Sequence, residues 1–97
     1  MKLSQLNNLI HRTSFEIEIE GRTEKVEFEF RDITPELEKQ GVVELLRRSL
    51  VRIQDGEQDG QPVMTAITDE LISSLPFRIH RLLYDAIIAH TYPKKVN

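Results

Sequence analysis

The strongest periodic pattern in the chain runs from residue 67 to residue 90. At about 100° per residue its apolar positions gather on one side, which predicts a helix with a core-facing stripe. Thr68 is expected to cap its start, and the step Ser74-Leu75-Pro76 either bends this helix or starts it afresh. The predicted stripe consists of Leu75, Ile79, Leu82, Leu83, Ala86, Ile87 and His90.

A second, smaller apolar stripe lies on the far side of the same helix. Phe77, Tyr84 and Ile88 follow one another at spacings of seven and four residues, which places them within a few tens of degrees of each other. A chain of 97 residues has too few other elements to cover two apolar faces of one helix, so we expect another molecule to cover the second stripe. Arg81 lies beside it, and arginine among aromatic residues is typical of protein interfaces. The predicted protein-interaction site is therefore Phe77, Arg81, Tyr84 and Ile88.

Alternation of apolar and acidic residues predicts two strands between residues 13 and 31, joined at residues 21–24. They form an antiparallel hairpin with one apolar and one acidic face. The apolar positions are Phe15, Ile17, Ile19, Val26, Phe28 and Phe30, and the acidic ones are Glu16, Glu18, Glu20, Glu27 and Glu29. A lone hairpin is marginal, so its apolar face is expected to meet the stripe of the long helix or a second copy of the chain.

Between the hairpin and the long helix the pattern is again helical. Thr34-Pro35-Glu36 is a helix start, and this helix is predicted to break or bend at Gly41 and then continue to about Gln54. Residues 55–62 contain two glycines and a proline and are predicted to form a loop. Residues 2–12 have helical spacing and predict a further short helix.

These elements predict a single α+β domain over residues 1–97. Its parts are a β-hairpin at 13–31, a helical part at 35–92 and a polar tail at 93–97, with Pro93 ending the last helix. The predicted architecture is thus an N-terminal antiparallel β-hairpin followed by a small bundle of three to four helices.

Composition narrows the classes of function. The net charge is −3, with 13 basic and 16 acidic residues, which disfavours nucleic acid as a partner. The chain has no cysteine, which excludes disulfides, thiolate metal sites and cysteine nucleophiles. Its apolar runs fall short of the roughly 18 residues that span a bilayer, so no membrane partner is expected.

Candidate chemistry is sparse. The segment DGEQDG places Asp55, Glu57 and Asp59 at the first three ligand positions of a calcium-binding loop, but Ala66 occupies the position of the closing bidentate glutamate. The three histidines have no metal-ligand spacing, and His90 is interpreted as a helix-end residue near terminal carbonyls. We therefore predict no catalytic residue, no metal, no cofactor and no enzymatic activity.

The acidic hairpin face has two interpretations. It is either a solvated outer face that keeps the hairpin from pairing with other strands, with Arg22, Lys25 and Arg31 offsetting its charge, or a dock for a basic partner. Acid is also concentrated in residues 1–41, which favours head-to-tail contact between copies and predicts a homo-oligomer.

The order of elements is a hairpin, a TPELE helix, a polar loop containing DG, and the segment ITDELISSLPFRIHRLLYDAI. Over the C-terminal two thirds this order resembles the small tail assembly chaperones of long-tailed phages, in which an acidic helix start, a Leu-Pro step and an apolar helix follow one another. The resemblance implies a protein of the host cytoplasm that coats the long helical tape measure protein before the tail tube polymerises around it.

Two other classes fit the same elements. A virion structural protein, such as a head-tail joining or tail component, would remain in purified particles, where a chaperone is absent. An acidic regulatory or inhibitor module would bind a basic target with an affinity that falls steeply with salt.

Overall fold

The computed structural model describes residues 9–92, which form a four-stranded antiparallel sheet with helices packed on one face. The strands lie in the order β1-β2-β3-β4. In chain order the elements are β1 (Ile10–Ile19), β2 (Arg22–Arg31), α1 (Pro35–Glu38), α2 (Val42–Ser49), β3 (Leu50–Gln58), β4 (Gln61–Ala66), α3 (Asp69–Ser74) and α4 (Phe77–Thr91). Within residues 9–92, none of the helices has the length and apolar character needed to cross a bilayer.

The predicted architecture of a hairpin followed by a helical bundle is wrong, because half of the sheet comes from the part predicted to be helical. The helix that was expected to reach Gln54 ends at Ser49, and the chain continues directly into β3. Val51 and Ile53 are β-branched and suit a strand. Pairing of β3 with β2 also buries Phe28 and Phe30 in the middle of the sheet, which a two-stranded hairpin could not do.

The predicted loop at residues 55–62 is also wrong, since it is the end of a second hairpin. β3 and β4 pair up to Gln58 and Gln61, and only Asp59 and Gly60 form the turn. Both turn residues have positive φ, 53° and 76°, which is the conformation of a type I′ turn. The Asp-Gly pair is the usual sequence for that turn.

The first hairpin is present, but its turn is tighter than predicted. β1 and β2 pair from Ile10 with Arg31 to Ile19 with Arg22, so the connection is Glu20 and Gly21. These residues also have positive φ, 50° and 77°, and form another two-residue turn of the same kind.

Two predicted helix starts are confirmed by side-chain caps. The Thr34 hydroxyl accepts a hydrogen bond from the Leu37 amide at 3.1 Å, and the Thr68 hydroxyl accepts one from the Leu71 amide at 3.1 Å. The break at Gly41 is confirmed as well, since this residue separates α1 from α2 with φ 99° and ψ 169°. A side chain with a Cβ atom rarely adopts that conformation.

Replacing Gly41 by alanine is therefore expected to lower the free energy of unfolding by about 1–3 kcal/mol. Space is not the reason, because a Cβ atom at this position would meet nothing within 4 Å. Urea denaturation compares the variant with Gln40→Ala, a substitution at the exposed neighbouring position that should change stability by less than about 0.5 kcal/mol. Equal stabilities of the two variants would contradict the backbone argument.

The core lies between the sheet and the helices. Apolar side chains of β1, β2 and β3 meet those of α2, α3 and α4, so the hairpin's apolar face is covered from within the chain. Ile19 is the exception, because it lies beyond the helices and is 46% exposed. The fully or nearly buried members are Phe15, Phe28, Phe30, Leu45, Leu46, Leu50, Ile53, Ile72, Leu83 and Ile87.

The long predicted helix is divided by Leu75 and Pro76 into α3 and α4, one of the two outcomes expected for that step. The buried line of α4 is His80, Leu83 and Ile87. His90, which was predicted to lie on the core stripe, is exposed instead, and its ring packs against the rings of Phe30 and His11.

The predicted N-terminal helix at residues 2–12 is wrong in its described part, because β1 already begins at Ile10. Pairing of this segment with β2 outweighs its helical spacing. Residues 2–8 and the predicted tail at 93–97 lie outside the described residues.

Candidate functional site: an apolar depression between two helices

A surface depression lies where the first turns of α2 and α4 meet. Its volume is about 330 Å³, and it is lined by Val42, Val43, Phe77, His80 and Arg81. We call it the α2–α4 depression. Three of its residues are apolar, and a histidine ring forms part of the rest, so it suits an apolar side chain rather than a charged ligand.

Phe77 is the most exposed apolar side chain of the described residues, at 84% exposure. It is the first residue of α4 and follows Pro76, whose ring fixes the direction in which the chain enters the helix. Its ring meets the ring of His80 edge to face, with centroids 5.9 Å apart and planes at 84°. This geometry is favourable for aromatic pairs, so it favours the observed orientation of the exposed ring.

His80 is in turn held by α3. The residue is only 6% exposed, and its Nε2 atom lies 2.6 Å from the Ile72 carbonyl oxygen, to which it donates. Its Nδ1 atom is buried without a hydrogen-bond partner among the described residues. The contacts from Ile72 to His80 and from His80 to Phe77 therefore favour one orientation of the exposed ring before any partner arrives, which lowers the entropic cost of binding.

Arg81 forms the polar side of the depression. Its Nε atom lies 3.2 Å from Oδ1 of Asp85, one helical turn further along, and its guanidinium lies 5.5 Å from the centre of the Tyr84 ring. The arginine is thus held along the helix surface, where it can donate hydrogen bonds to a partner beside Phe77.

A second ion pair lies on the other side, one turn along α2 from Val43. Arg47 donates a hydrogen bond to Asp69 at 2.9 Å, which ties α2 to the first turn of α3. The Arg47 guanidinium holds the pKa of the Asp69 carboxyl below its usual range through that hydrogen bond and its charge. Both groups are exposed, so this pair adds little to the stability of the fold.

The four predicted site residues do not form one exposed stripe. Phe77 and Arg81 both line the depression, whereas Tyr84 is half-buried against the core and Ile88 is half-buried further along α4. The reason is that α4 packs against both α2 and β1, so Tyr84 lies at the margin of its core-facing side and not on the exposed side. Whether these residues bind a partner stays a prediction.

Sequence reasoning missed Val42 and Val43 as members of the site. They belong to the apolar side of α2, and Val43 is 40% exposed although the next apolar residues, Leu45 and Leu46, are fully buried. The sequence did contain one sign of this. Val43 is an apolar residue in the first turn of a helix whose core-facing positions are already filled by other residues. That Val43 lies beside Phe77 depends on how α2 packs on α4, and the local sequence pattern does not predict that packing.

The acidic face of the first hairpin is largely neutralised at its centre. Glu29 is only 7% exposed and accepts two hydrogen bonds from Arg52, at 2.7 and 3.0 Å. Arg12 lies 3.4 Å from Glu27 and 3.9 Å from Glu29, and Glu16 faces Lys25 across the strands. These internal cations reduce the support for the interpretation of this face as a dock for a basic target. Arg12 and Arg52 supply these cations. Of the three cations predicted to offset the acidic charge, only Lys25 takes part.

The histidines and acids do not assemble into a metal centre within residues 9–92, where no group of three or more His, Cys, Asp or Glu residues could hold an ion. His11 lies 2.7 Å from Asp32 and its ring is 5.0 Å from that of His90, at the end of the sheet away from the α2–α4 depression. Asp55 and Glu57 lie in the paired strand β3 and not in a ligand loop.

Comparison with protein-family models, with curated proteins and with solved structures gave no match to this chain.

Proposed function

We propose that this chain is a non-enzymatic phage tail assembly chaperone that binds the tape measure protein in the host cytoplasm during tail morphogenesis. The observation that carries the proposal is the exposed, pre-oriented ring of Phe77 beside Val43 and Arg81. An apolar anchor with an adjacent arginine is the usual make-up of a protein-binding hot spot.

The segment that resembles the chaperone family supports the same proposal. α3 begins with the acidic residues Asp69 and Glu70, Leu75 and Pro76 form the step, and α4 is the apolar helix that follows. Phe77, the first residue after that step, is also the anchor of the α2–α4 depression.

The dimensions of the site suit a chaperone of this kind. A tape measure chain is long and helical, with apolar side chains that would aggregate before the tube encloses them. A depression of about 330 Å³ accepts one or two of these side chains, so each contact is weak. Many weak contacts along the tape measure give a firm hold, and the assembling tube displaces them one at a time.

The test is co-expression of the tape measure protein with wild type and with Phe77→Ser. We expect the soluble fraction of the tape measure to be lost with this variant, because a central aromatic anchor contributes about 2 kcal/mol or more, roughly 30-fold in affinity. Tyr84→Ser is not a suitable probe, since Tyr84 packs against the core and its loss would also destabilise the fold.

Tyr92→Ser is the matched control. Tyr92 is an exposed aromatic residue at the other end of α4, about 22 Å from Phe77 along the helix. Its loss should leave the tape measure soluble. Solubility retained with Phe77→Ser would overturn the proposal. Recovery of the chain in purified virions would instead favour the structural-protein class.

A further inference from the structure

β1 lies at one edge of the sheet and does not line the α2–α4 depression. β1 is ten residues long and pairs with β2 over its whole length without a register shift. On its other side none of the described residues adds a strand. β1 contains no proline, bulge or lysine, so of the features that usually protect a sheet edge from pairing it has only the charged side chains of Arg12, Glu16 and Glu18.

The opposite edge of the sheet differs in each of these respects. β4 has six residues, includes Pro62, and its pairing with β3 is interrupted by a register shift. Proline and irregular pairing are the usual means of blocking an edge strand. β1 is therefore the edge that is open to another strand.

The hairpin turn determines which residues of β1 point outward. In the turn at Glu20 and Gly21, the Ile19 carbonyl accepts from the Arg22 amide, so Ile19 and Arg22 are a hydrogen-bonded pair. Pairs alternate along an antiparallel ladder. The amides of the odd-numbered residues of β1 thus face β2, and those of the even-numbered residues, among them Ser14, face the free edge.

We propose that the β1 edge pairs with β1 of a second copy of this chain, antiparallel and around a two-fold axis at Phe15. Two outward-facing residues must lie opposite one another, so even-numbered residues pair with even-numbered ones. The helices of both copies then lie on the same side of one continuous eight-stranded sheet. A symmetric contact of this kind closes on itself as a dimer.

Charge complementarity selects the second copy as the occupant. In the Phe15-centred register, Arg12 of each copy, which lies 3.4 Å from Glu27 of its own copy, also comes opposite Glu18 of the other, which gives two further cation–anion pairs. Within its own copy Glu18 faces Thr23, so this carboxylate has no opposite cation across the hairpin. On the other face, the exposed Ile19 comes opposite His11, which covers an apolar side chain that the helices leave open.

The oligomeric state tests this inference, measured by sedimentation equilibrium over a range of concentrations. The chain has a mass of 11.3 kDa, and we expect wild type to reach twice that mass. Ser14→Pro removes an outward-facing amide without touching the β1–β2 ladder and should be monomeric throughout. Ser14→Ala keeps the amide and should form the dimer as wild type does.

A second variant and a cross-link make the test independent of any effect of proline on folding. Glu18→Arg should weaken the dimer at least tenfold, because it places like charges opposite Arg12. Since the chain has no cysteine, Ser14→Cys and Glu16→Cys can be mixed, and oxidation should give the mixed disulfide. A monomeric wild type, a dimeric Ser14→Pro, or no mixed disulfide would overturn the proposal. None of these outcomes bears on binding by Phe77.

Discussion

Replacing Phe28 by alanine is expected to lower the free energy of unfolding by about 3–5 kcal/mol, the cost of a cavity in place of a buried aromatic ring. Phe28 is completely buried at the centre of the sheet, with the rings of Phe15 and Phe30 within 6.1 and 5.7 Å of its own. Domains of this kind have a total stability of about 5–15 kcal/mol, so the change removes a large part of it. Urea denaturation followed by circular dichroism measures the loss.

The same chain offers a matched control in Phe77→Ala. This substitution removes the same atoms from a side chain that is 84% exposed, and only its edge contact with His80 is lost. The expected cost is below about 1 kcal/mol. Similar losses in the two variants would mean that Phe77 is packed in the core, and that the α2–α4 depression is not a free surface.

The second large effect concerns the carboxylate on the helix-free face of the sheet. Replacing Arg52 by methionine is expected to cost about 2–3 kcal/mol, because the nearly buried Glu29 loses both of its short hydrogen bonds. Arg12, at 3.9 Å from Glu29, is too far away to replace them. Methionine retains most of the apolar stem of the arginine, so the loss reports the charge contacts rather than packing.

The double variant Glu29→Leu/Arg52→Met tests that explanation. Without the carboxylate there is no unpaired buried charge, so the double variant should be more stable than Arg52→Met alone. Thermal or urea unfolding of wild type, both single variants and the double variant gives the coupling free energy. Purely additive losses would show that Glu29 is adequately solvated and that Arg52 acts only through packing.

The first hairpin was predictable because its information is local. Apolar and acidic residues alternate on both sides of a short connection, and the apolar face packs on the helices except at Ile19. The helix starts at Thr34 and Thr68 are local as well, since each depends on one hydroxyl and an amide three residues later.

The second half of the sheet was not predicted because β3 continues the helical spacing of α2. Leu45, Leu46, Leu50 and Ile53 suit either a helix or a strand, and the choice is made by pairing with β2, more than twenty residues away. The bulge at Glu29 and Phe30, which fits Val51 into that pairing, has no local signature either. The Asp59-Gly60 pair was the one local sign of the second hairpin. This pair is the usual sequence of a two-residue hairpin turn, and it predicts the structure here better than the loop composition does.

In the candidate site, too, local patterns were predictable and contacts between distant elements were not. Phe77 could be identified from the sequence because it breaks the core periodicity of α4, whereas Val42 and Val43 join it only through the packing of α2 on α4. Tyr84 has the spacing of an exposed stripe but packs against the core, because the covered surface of α4 is wider than a single stripe.

The central claim is that Phe77 anchors a helical, apolar partner in the α2–α4 depression, and direct titration tests it. A fluorescently labelled tape measure segment is titrated with wild type, Phe77→Ala and Tyr92→Ala, and the dissociation constants are read from anisotropy. The account predicts at least a tenfold weaker complex for Phe77→Ala, at unchanged fold, and an unchanged constant for Tyr92→Ala. Equal dissociation constants for wild type and Phe77→Ala would contradict it.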